Sequence, residues 1–281
     1  MENLIIILVL FAAFLHAFWN FLVRGSDDKV LTMAAVVLGH IPAGLVGIII
    51  FGLPNVESIF FILFSSILHF CYQIFLLNAY RYGELTQVYP IARGLSPLII
   101  VLISTLLIDE GFTKLEFVGI IFISFSILAY GIKIKLNSKE NFKGFYFSII
   151  AGLFIASYSL VDGYGGRLSK NPIGFYSTLT IINSLLFSIY LTTFHKGMIK
   201  KLIAEGKTIF LIGGTASYGA YAIVVWACFF LPIAIVSSLR ETSILFALLL
   251  SFLFLKERLT IFKFSIITTL SIGIVLIKYS I

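Results

Sequence analysis

Long apolar runs dominate the hydrophobic pattern of this chain, and only short polar stretches interrupt them. A helix needs about 20 mostly apolar residues to cross a bilayer. Ten runs meet that length, and they predict spans over 3–23, 31–52, 58–80, 86–108, 115–133, 143–162, 173–194, 208–230, 233–255 and 260–279. Barrel strands would alternate polar and apolar residues. Runs such as LIIVLISTLLI do not alternate, so we predict an all-α integral membrane protein.

Short connections join the predicted spans, so we expect one compact helical body without a separate soluble domain. The first run, ENLIIILVLFAAFLHAFWNFLVR, is too long for the apolar core of a cleaved signal peptide and is predicted to be the first span. A polar stretch over 133–143 lies near the middle of the chain. It predicts a linker between two halves, residues 1–137 and 138–281.

The two halves repeat each other when the sequence is shifted by 147 residues, without gaps. The polar matches are Arg93 with Arg240, Ser96 with Ser243, Ser104 with Ser251, Glu110 with Glu257, and Thr113 with Thr260. Chance matching of Leu and Ile does not explain polar pairs in an apolar background. Because each half holds five spans, the second half enters the membrane from the opposite side. The sequence therefore predicts an inverted-topology repeat, the arrangement found in many secondary transporters.

Composition agrees with a lipid environment, since 60% of the 281 residues are hydrophobic and only 12% are charged. The net charge of +7 does not indicate nucleic-acid binding, because basic residues collect in the cytoplasmic loops of membrane proteins. In the predicted topology, 14 of the 20 Lys and Arg residues follow odd-numbered spans. This bias places the odd-numbered loops in the cytoplasm and both termini outside. We expect a multi-pass protein of the plasma (inner) membrane.

Three stretches resemble the EamA-type members of the drug/metabolite transporter superfamily: LHAFWNFLVRGSDD, AYRYGELTQVYPIARGLSPLIIVLIS and SILFALLLSFLFLKERLT. The resemblance covers the whole chain. It implies ten helices, built as two EamA repeats, around a central substrate cavity that spans 1, 3, 4, 6, 8 and 9 line. Better-known relatives export amino acids, move nucleotide sugars or exchange sugar phosphates. Many are described with cytoplasmic termini, which disagrees with the charge bias, so the orientation stays open.

Two arginines lie inside predicted spans, where a cation is costly and indicates function by default. Arg93 is predicted to hold a carboxylate, phosphonate or phosphate, because a guanidinium fork matches such groups. The alternative is a packing role. Arg240 stands beside Glu241, and adjacent helical positions do not face the same way. One of the two is therefore expected to face the cavity while the other pairs elsewhere.

Two prolines, Pro90 and Pro97, remove backbone donors from span 4 and predict either a broken helix at a binding site or a kink for packing. Span 9 has no matching prolines. Glu110 and Glu257, each followed three residues later by a threonine, are expected to serve helix ends and caps.

Polar and aromatic faces complete the predicted binding site. Asp162 occupies the place in span 6 that Asn20 has in span 1, and it is expected to bind an ammonium group, carry a proton, or lie in water at the span end. The other candidates are polar or aromatic residues of spans 1, 3, 4, 6 and 8, with interfacial or core packing as the alternative for each aromatic. They are His16, Trp19, Asn20, His69, Tyr72, Gln73, Tyr89, Tyr158, Tyr218, Tyr221 and Trp226.

Enzyme activity is not supported by the sequence. Gly94–Ser96 with a distant His40 or His69 does not form a nucleophile arrangement. No phosphate-binding GxxxxGK motif is present, so transport must be secondary and no cofactor is expected. We predict a transporter of a small polar metabolite, with a sugar-phosphate antiporter or a non-transporting membrane enzyme or scaffold as alternatives. The expected partners are that substrate, a coupling proton or counter-substrate, and membrane lipid.

Overall fold

A computed structural model describes residues 1–23, 26, 28–82, 85–136, 142–255 and 260–280. Within these ranges the chain is helical and contains no strand. The helices are α1 (Glu2–Val23), α2 (Lys29–Phe51), α3 (Ile59–Tyr82), α4 (Leu85–Ile103), α5 (Lys114–Leu136), α6 (Phe142–Leu168), α7 (Pro172–Phe194), α8 (Met198–Glu205), α9 (Gly214–Ala227), α10 (Ile233–Glu241), α11 (Ser243–Leu255) and α12 (Ile261–Ser280).

Among the described residues, ten segments are long and apolar enough to cross a membrane, which confirms the predicted fold class. Span 4 ends in a π-helical turn over Ser104–Ile108, and span 8 begins with another over Ile209–Gly213. Span 9 consists of α10 and α11 in sequence, and α8 is a short helix between spans 7 and 8. Large apolar side chains point outward along the spans, as lipid-facing surfaces require, and Leu107 and Ile261 are 81% and 91% exposed.

Helix contacts follow a two-fold relation between the halves. Each span of the first half corresponds to the span five positions later in the second half. Span 3 packs on span 6, and span 1 packs on span 8, so each of these two contacts is the counterpart of the other. The same holds for span 4 on span 6 and span 1 on span 9, while spans 2 and 7 and spans 5 and 10 pair directly. This pattern fits the inverted repeat. The boundary between 137 and 138 lies outside the described residues and stays a prediction.

Of the two alternatives predicted for the prolines of span 4, the broken helix is wrong, because α4 is continuous across Pro90 and Pro97. Pro90 packs closely against α5, where a Cβ on Gly131 would come within 3.3 Å of the proline Cβ. The proline therefore serves helix packing. Span 9 is interrupted at one residue, Thr242, which separates α10 from α11 but keeps helical dihedral angles (φ −63°, ψ −6°). The Thr242 hydroxyl and amide both bond to the Leu239 carbonyl, which tightens the turn.

The predicted helix-end features agree with the structure where they are described. Thr113 and Glu116 form a reciprocal capping box at the start of α5, each side chain bonding the other residue's backbone amide. Thr260 accepts a hydrogen bond from the Lys263 amide at the start of α12. Glu257 lies outside the described residues.

Candidate functional site

Two buried arginines share one carboxylate where the two halves of the chain meet. Arg93 of α4 lies 2.8 Å from Glu241 Oε2 through Nη1, and Arg240 lies 2.8 Å from Glu241 Oε1 through Nη2. Nη2 of Arg93 also donates to Nε2 of His16 on α1. All but His16 are at most 3% exposed. We call these four residues the arginine centre. Two guanidinium groups and one carboxylate leave it one net positive charge when the histidine is neutral.

The pairing of Arg240 with Glu241 corrects the expectation that these neighbours face different ways. Nε of Arg240 also donates to Glu241 Oε1, at 3.1 Å. Both residues stand in the last turn of α10, and the helix ends immediately after them at Thr242. At a helix end the long side chains can fold toward each other.

A second buried cluster surrounds Asp162 of α6. Ser65 of α3 donates to Oδ1, while His69 Nε2 and the Tyr221 hydroxyl each lie 2.8 Å from Oδ2. Tyr158 stacks on the His69 ring with centroids 3.9 Å apart. We call these five residues the aspartate centre. The expectation of a water-exposed span end at Asp162 is wrong, because α6 continues to Leu168 and the residue is 1% exposed.

Tyr221 joins the two centres. Its hydroxyl bonds Asp162, and Arg240 Cζ lies 5.4 Å from the centroid of its ring. A cavity of about 10 Å³ lies beside it, lined among others by Ser159, Asp162, Ser237 and Arg240. This volume has room for about one water molecule.

The structure gathers most, but not all, of the predicted site residues. Trp19 packs edge-on against the His16 ring, Asn20 donates to the His16 carbonyl, and Tyr72 packs edge-on against Tyr158. These three residues border the two centres. The side chain of Tyr89 lies outside the described part of the structure.

Three candidates stand apart from both centres. Tyr218 bonds Ser177 at 2.6 Å, and Trp226 packs against Phe230. Both line an apolar cavity of about 470 Å³ between spans 1, 2, 7 and 8. Gln73 is buried in α3, and its Oε1 has no hydrogen-bond partner among the described residues.

Glu241 and Ser65 are the members of the centres that the sequence did not single out as site residues. An acidic residue directly beside a buried arginine in an apolar run was the available signal for Glu241, since buried charges require partners. Ser65 carried no such signal. Serines are frequent in these spans, and its role depends on a contact with a residue 97 positions away.

At one end of the helical body, an ion pair joins the two halves of the chain. Arg167, near the end of α6, contacts Glu110 at 2.7 Å and donates to the carbonyls of Cys228 and Leu231 at the end of span 8. Glu110 accepts the Ile233 amide at the start of α10. We call this arrangement the latch, and the face on which the even-numbered loops lie the even face. Glu110 thus does more than the helix-end role that the sequence predicted.

The opposite face, formed by the odd-numbered loops, holds a polar cavity of about 590 Å³. Lys29, Arg81 and His195 line it together with Asp28 and Tyr190. Asp28 caps α2 by accepting the Leu31 amide, and its other oxygen pairs with Lys201 of α8 at 2.7 Å. Partial burial raises the pKa of Asp28, but these bonds outweigh it and hold that pKa below the usual 3.8.

Metal binding gains no support from the described residues, which contain no cluster of three His, Cys, Asp or Glu side chains suited to an ion. The groups that converge at the centre are guanidinium, imidazole, carboxylate and phenol. They can recognise charged parts of a small molecule and hold or pass protons.

Comparisons with known proteins point to one family. Residues 3–131 match the sequence model of the EamA-like transporter family. The fold also matches a crystal structure of a protein that is 13% identical, with a TM-score of 0.74 and 98% of each chain covered. At that identity the likeness shows the fold alone. None of the curated proteins matches the sequence.

Proposed function

The chain is an EamA-type member of the drug/metabolite transporter superfamily and hence a multi-pass membrane transporter, and from this premise we propose that it is a secondary transporter of the plasma membrane. Its substrate is a small zwitterion or monoanion, such as an amino acid or a phosphonate. It moves that substrate by alternating access.

The net positive charge of the arginine centre carries this proposal. Among the described side chains that meet in the centre, Glu241 is the one carboxylate beside two guanidinium groups, and all three are almost fully buried. A buried excess of cationic groups is costly, so the centre favours an anionic ligand. A substrate carboxylate or phosphonate can take the place of Glu241 on Arg93 with the same paired geometry. Glu241 then holds the arginines in position when no substrate is bound.

The same charge count favours a monoanion over the sugar-phosphate alternative. A monoanionic group brings the arginine centre to neutrality, whereas a phosphate dianion leaves one buried negative charge. Excess charge of either sign is costly in a low-dielectric interior. We therefore expect amino acids and phosphonate monoanions to be carried better than phosphate esters.

The asymmetry between the two faces supports alternating access. The latch joins the two halves at the even face, whereas the cavity of about 590 Å³ lies at the odd face. Inverted repeats allow the opposite arrangement by exchange of the two halves' conformations.

Counterflow in proteoliposomes tests the proposal. The purified protein is reconstituted and assayed with a panel of L-amino acids, aminoalkyl phosphonates and phosphate esters. We expect counterflow of at least one zwitterion, and Arg93→Gln should reduce it by about tenfold to 100-fold because a charged hydrogen bond contributes about 1.5–3 kcal/mol. Arg93→Lys should retain part of the activity, since it keeps the charge but loses the fork.

Lys114→Gln is the matched control, because it removes an exposed cation far from the centre. It should leave counterflow unchanged. Equal counterflow in wild type and Arg93→Gln, with both proteins folded by thermal unfolding, would contradict the role of Arg93. Absence of counterflow for the whole panel would contradict the proposed substrate class.

A further inference from the structure

We infer that Asp162 and His69 form the site at which this transporter binds a coupling proton, beside a water-sized cavity that leads toward the arginine centre. The inference rests on the proposed function and adds the identity and place of the coupling ion. It is carried by the hydrogen-bond roles around Asp162, by the size of the cavity and by the charge balance of the two centres.

The hydrogen bonds around Asp162 assign it as a carboxylate that can take up one proton. Ser65 and Tyr221 donate hydroxyl hydrogens to it, and His69 contacts it through Nε2. A carboxylate accepts about four hydrogen bonds, so these three partners leave one acceptor position. The imidazole can reverse its role, because a neutral ring carries its hydrogen on either nitrogen.

The proton step is balanced within this pair. In the first state Asp162 is ionised and His69 donates from Nε2. One proton enters from water at one face and binds the pair, giving a neutral carboxyl that donates to Nε2 while Nδ1 carries the imidazole hydrogen. The proton leaves to water at the other face after the conformational change, and the pair returns to its first state. No bond other than N–H and O–H is formed or broken.

The cavity beside Asp162 is small, and polar side chains form one part of its otherwise apolar lining. Ser159 and Ser237 line it, and the hydroxyl of each is buried with no partner among the described residues. About 10 Å³ admits one water, which these two hydroxyls and Asp162 can hold. An ammonium group with its carbon chain does not fit this space. A water molecule at this position would connect Asp162 to Arg240.

Sodium is a poorer occupant than a proton. A sodium ion needs several oxygen lone pairs, whereas Ser65 and Tyr221 direct their hydrogens at Asp162. The guanidinium of Arg240 also lines the cavity and repels a metal cation. The described titratable groups around Asp162 lie on α3, α6, α7, α9 and α10 and directly after α9, and they are His69, Tyr158, Tyr176, Tyr221, Arg240 and Cys228.

Charge balance links the proton to the substrate. With Asp162 ionised, its negative charge offsets the one net positive charge of the arginine centre, so the two centres together are neutral and attract an anion least in this state. Protonation of Asp162 removes one negative charge and leaves the interior with one net positive charge. A monoanionic substrate then restores neutrality. Proton and anion therefore favour each other's binding by the same factor, which is the condition for co-transport.

The test separates proton-driven uptake from exchange in proteoliposomes. The substrate is the panel compound with the largest wild-type counterflow, and uptake is measured with and without an imposed pH gradient. A gradient of about one unit can drive about tenfold accumulation at one proton per substrate. We expect the stimulation of uptake by the gradient, expressed relative to each protein's own counterflow, to be lost in Asp162→Asn, because an amide side chain cannot bind the coupling proton.

Asp109→Asn is the matched control, since Asp109 is exposed on the even face in a left-handed conformation that asparagine accepts. It should behave like the wild type. His69→Gln is a second variant in case Asp162→Asn does not fold, and it should lose most of the stimulation because glutamine has no second tautomer. Thermal unfolding in detergent checks the fold of each variant.

Three results would overturn the inference while leaving the proposed function intact. The first is wild-type uptake that a pH gradient does not stimulate, and the second is stimulation by a sodium gradient instead. The third is undiminished stimulation by the pH gradient in folded Asp162→Asn and His69→Gln. Absence of wild-type counterflow would contradict the proposed function itself, so the two failures are distinguishable.

Discussion

Glu241 is the residue through which both buried arginines are held. Removing one partner of a buried ion pair is far more damaging than never having had the pair, because an uncompensated charge remains. Glu241 and the arginines are therefore mutually dependent. This explains how cations are tolerated in spans 4 and 9, and why an incoming anion has a ready competitor.

At the same scale, Asp28 gives a pH-dependent contribution to stability. Its pKa is lowered on folding by the Leu31 amide and Lys201, so it stabilises the fold above its ordinary pKa of 3.8 and loses that effect as the pH falls through the lowered value. We expect the thermal unfolding midpoint of the wild type to fall more steeply below about pH 4 than that of Asp28→Asn.

Differential scanning fluorimetry in detergent from about pH 6 to pH 3 measures this difference. The Lys201 pKa is raised by the same pair, so its contribution is complete below the ordinary 10.5 and is lost only at more alkaline pH. It does not interfere with the acid range. Parallel curves for the two proteins would show that Asp28 is not ion-paired as described.

At the scale of the elements, α10 is fixed at both ends, by the interruption of span 9 at Thr242 and by the latch. The interruption places Arg240 and Glu241 at a helix end inside the membrane, where their side chains can meet. The latch fixes the start of the same span to span 6 through Glu110 and Arg167. Movement of α10 would therefore affect the even face and the arginine centre together.

Weakening the latch should expose the even face. Glu110→Gln keeps the shape of the side chain but removes the charge that pairs with Arg167. We expect a maleimide to modify Cys228 faster in this variant, because the buried Cys228 thiol lies in the chain segment that Arg167 contacts. Peptide mass spectrometry separates this site from Cys71. The effect should reach about tenfold, since a charged pair contributes about 1.5–3 kcal/mol.

Glu57→Gln is the control for this measurement, because Glu57 is exposed on the same face. It should label at the wild-type rate. Equal labelling of Cys228 in Glu110→Gln and wild type would show that the ion pair does not hold the two halves together at this face.

At the scale of the whole molecule, the halves are packed into each other rather than side by side. Most of the larger helix contacts join a span of one half to a span of the other. Close approach of backbones makes some of these contacts possible. Gly39 of α2 is an example, because a Cβ there would lie 2.2 Å from the Phe210 carbonyl oxygen and 3.0 Å from the Gly214 Cα.

Gly39→Ala should therefore separate spans 2 and 8 and lower the stability by about 1–3 kcal/mol, the usual effect of overpacking. A lower thermal unfolding midpoint measures it. Gly219→Ala is the control, because its Cβ would meet nothing closer than Leu15 Cδ1 at 3.9 Å. A Gly39→Ala midpoint equal to that of the control would contradict this packing.

The sequence by itself determined the ten spans, because apolar length and composition report directly on the lipid that must surround each helix. The 147-residue repeat likewise gave the inverted arrangement, since an odd number of spans reverses the second half. It also placed Arg93, Arg240 and Asp162 among the candidates, because intramembrane charge is costly whatever the fold.

Only the tertiary structure decided the partners of those charges. Arg93 meets Glu241 across 148 positions, and Asp162 meets Ser65 across 97. Which side chains meet depends on the rotation of each helix and on the end of α10 at Thr242, and that helix end carries no proline or glycine to mark it. Span length is a local property of the chain, whereas charge pairing depends on helices that are distant in sequence.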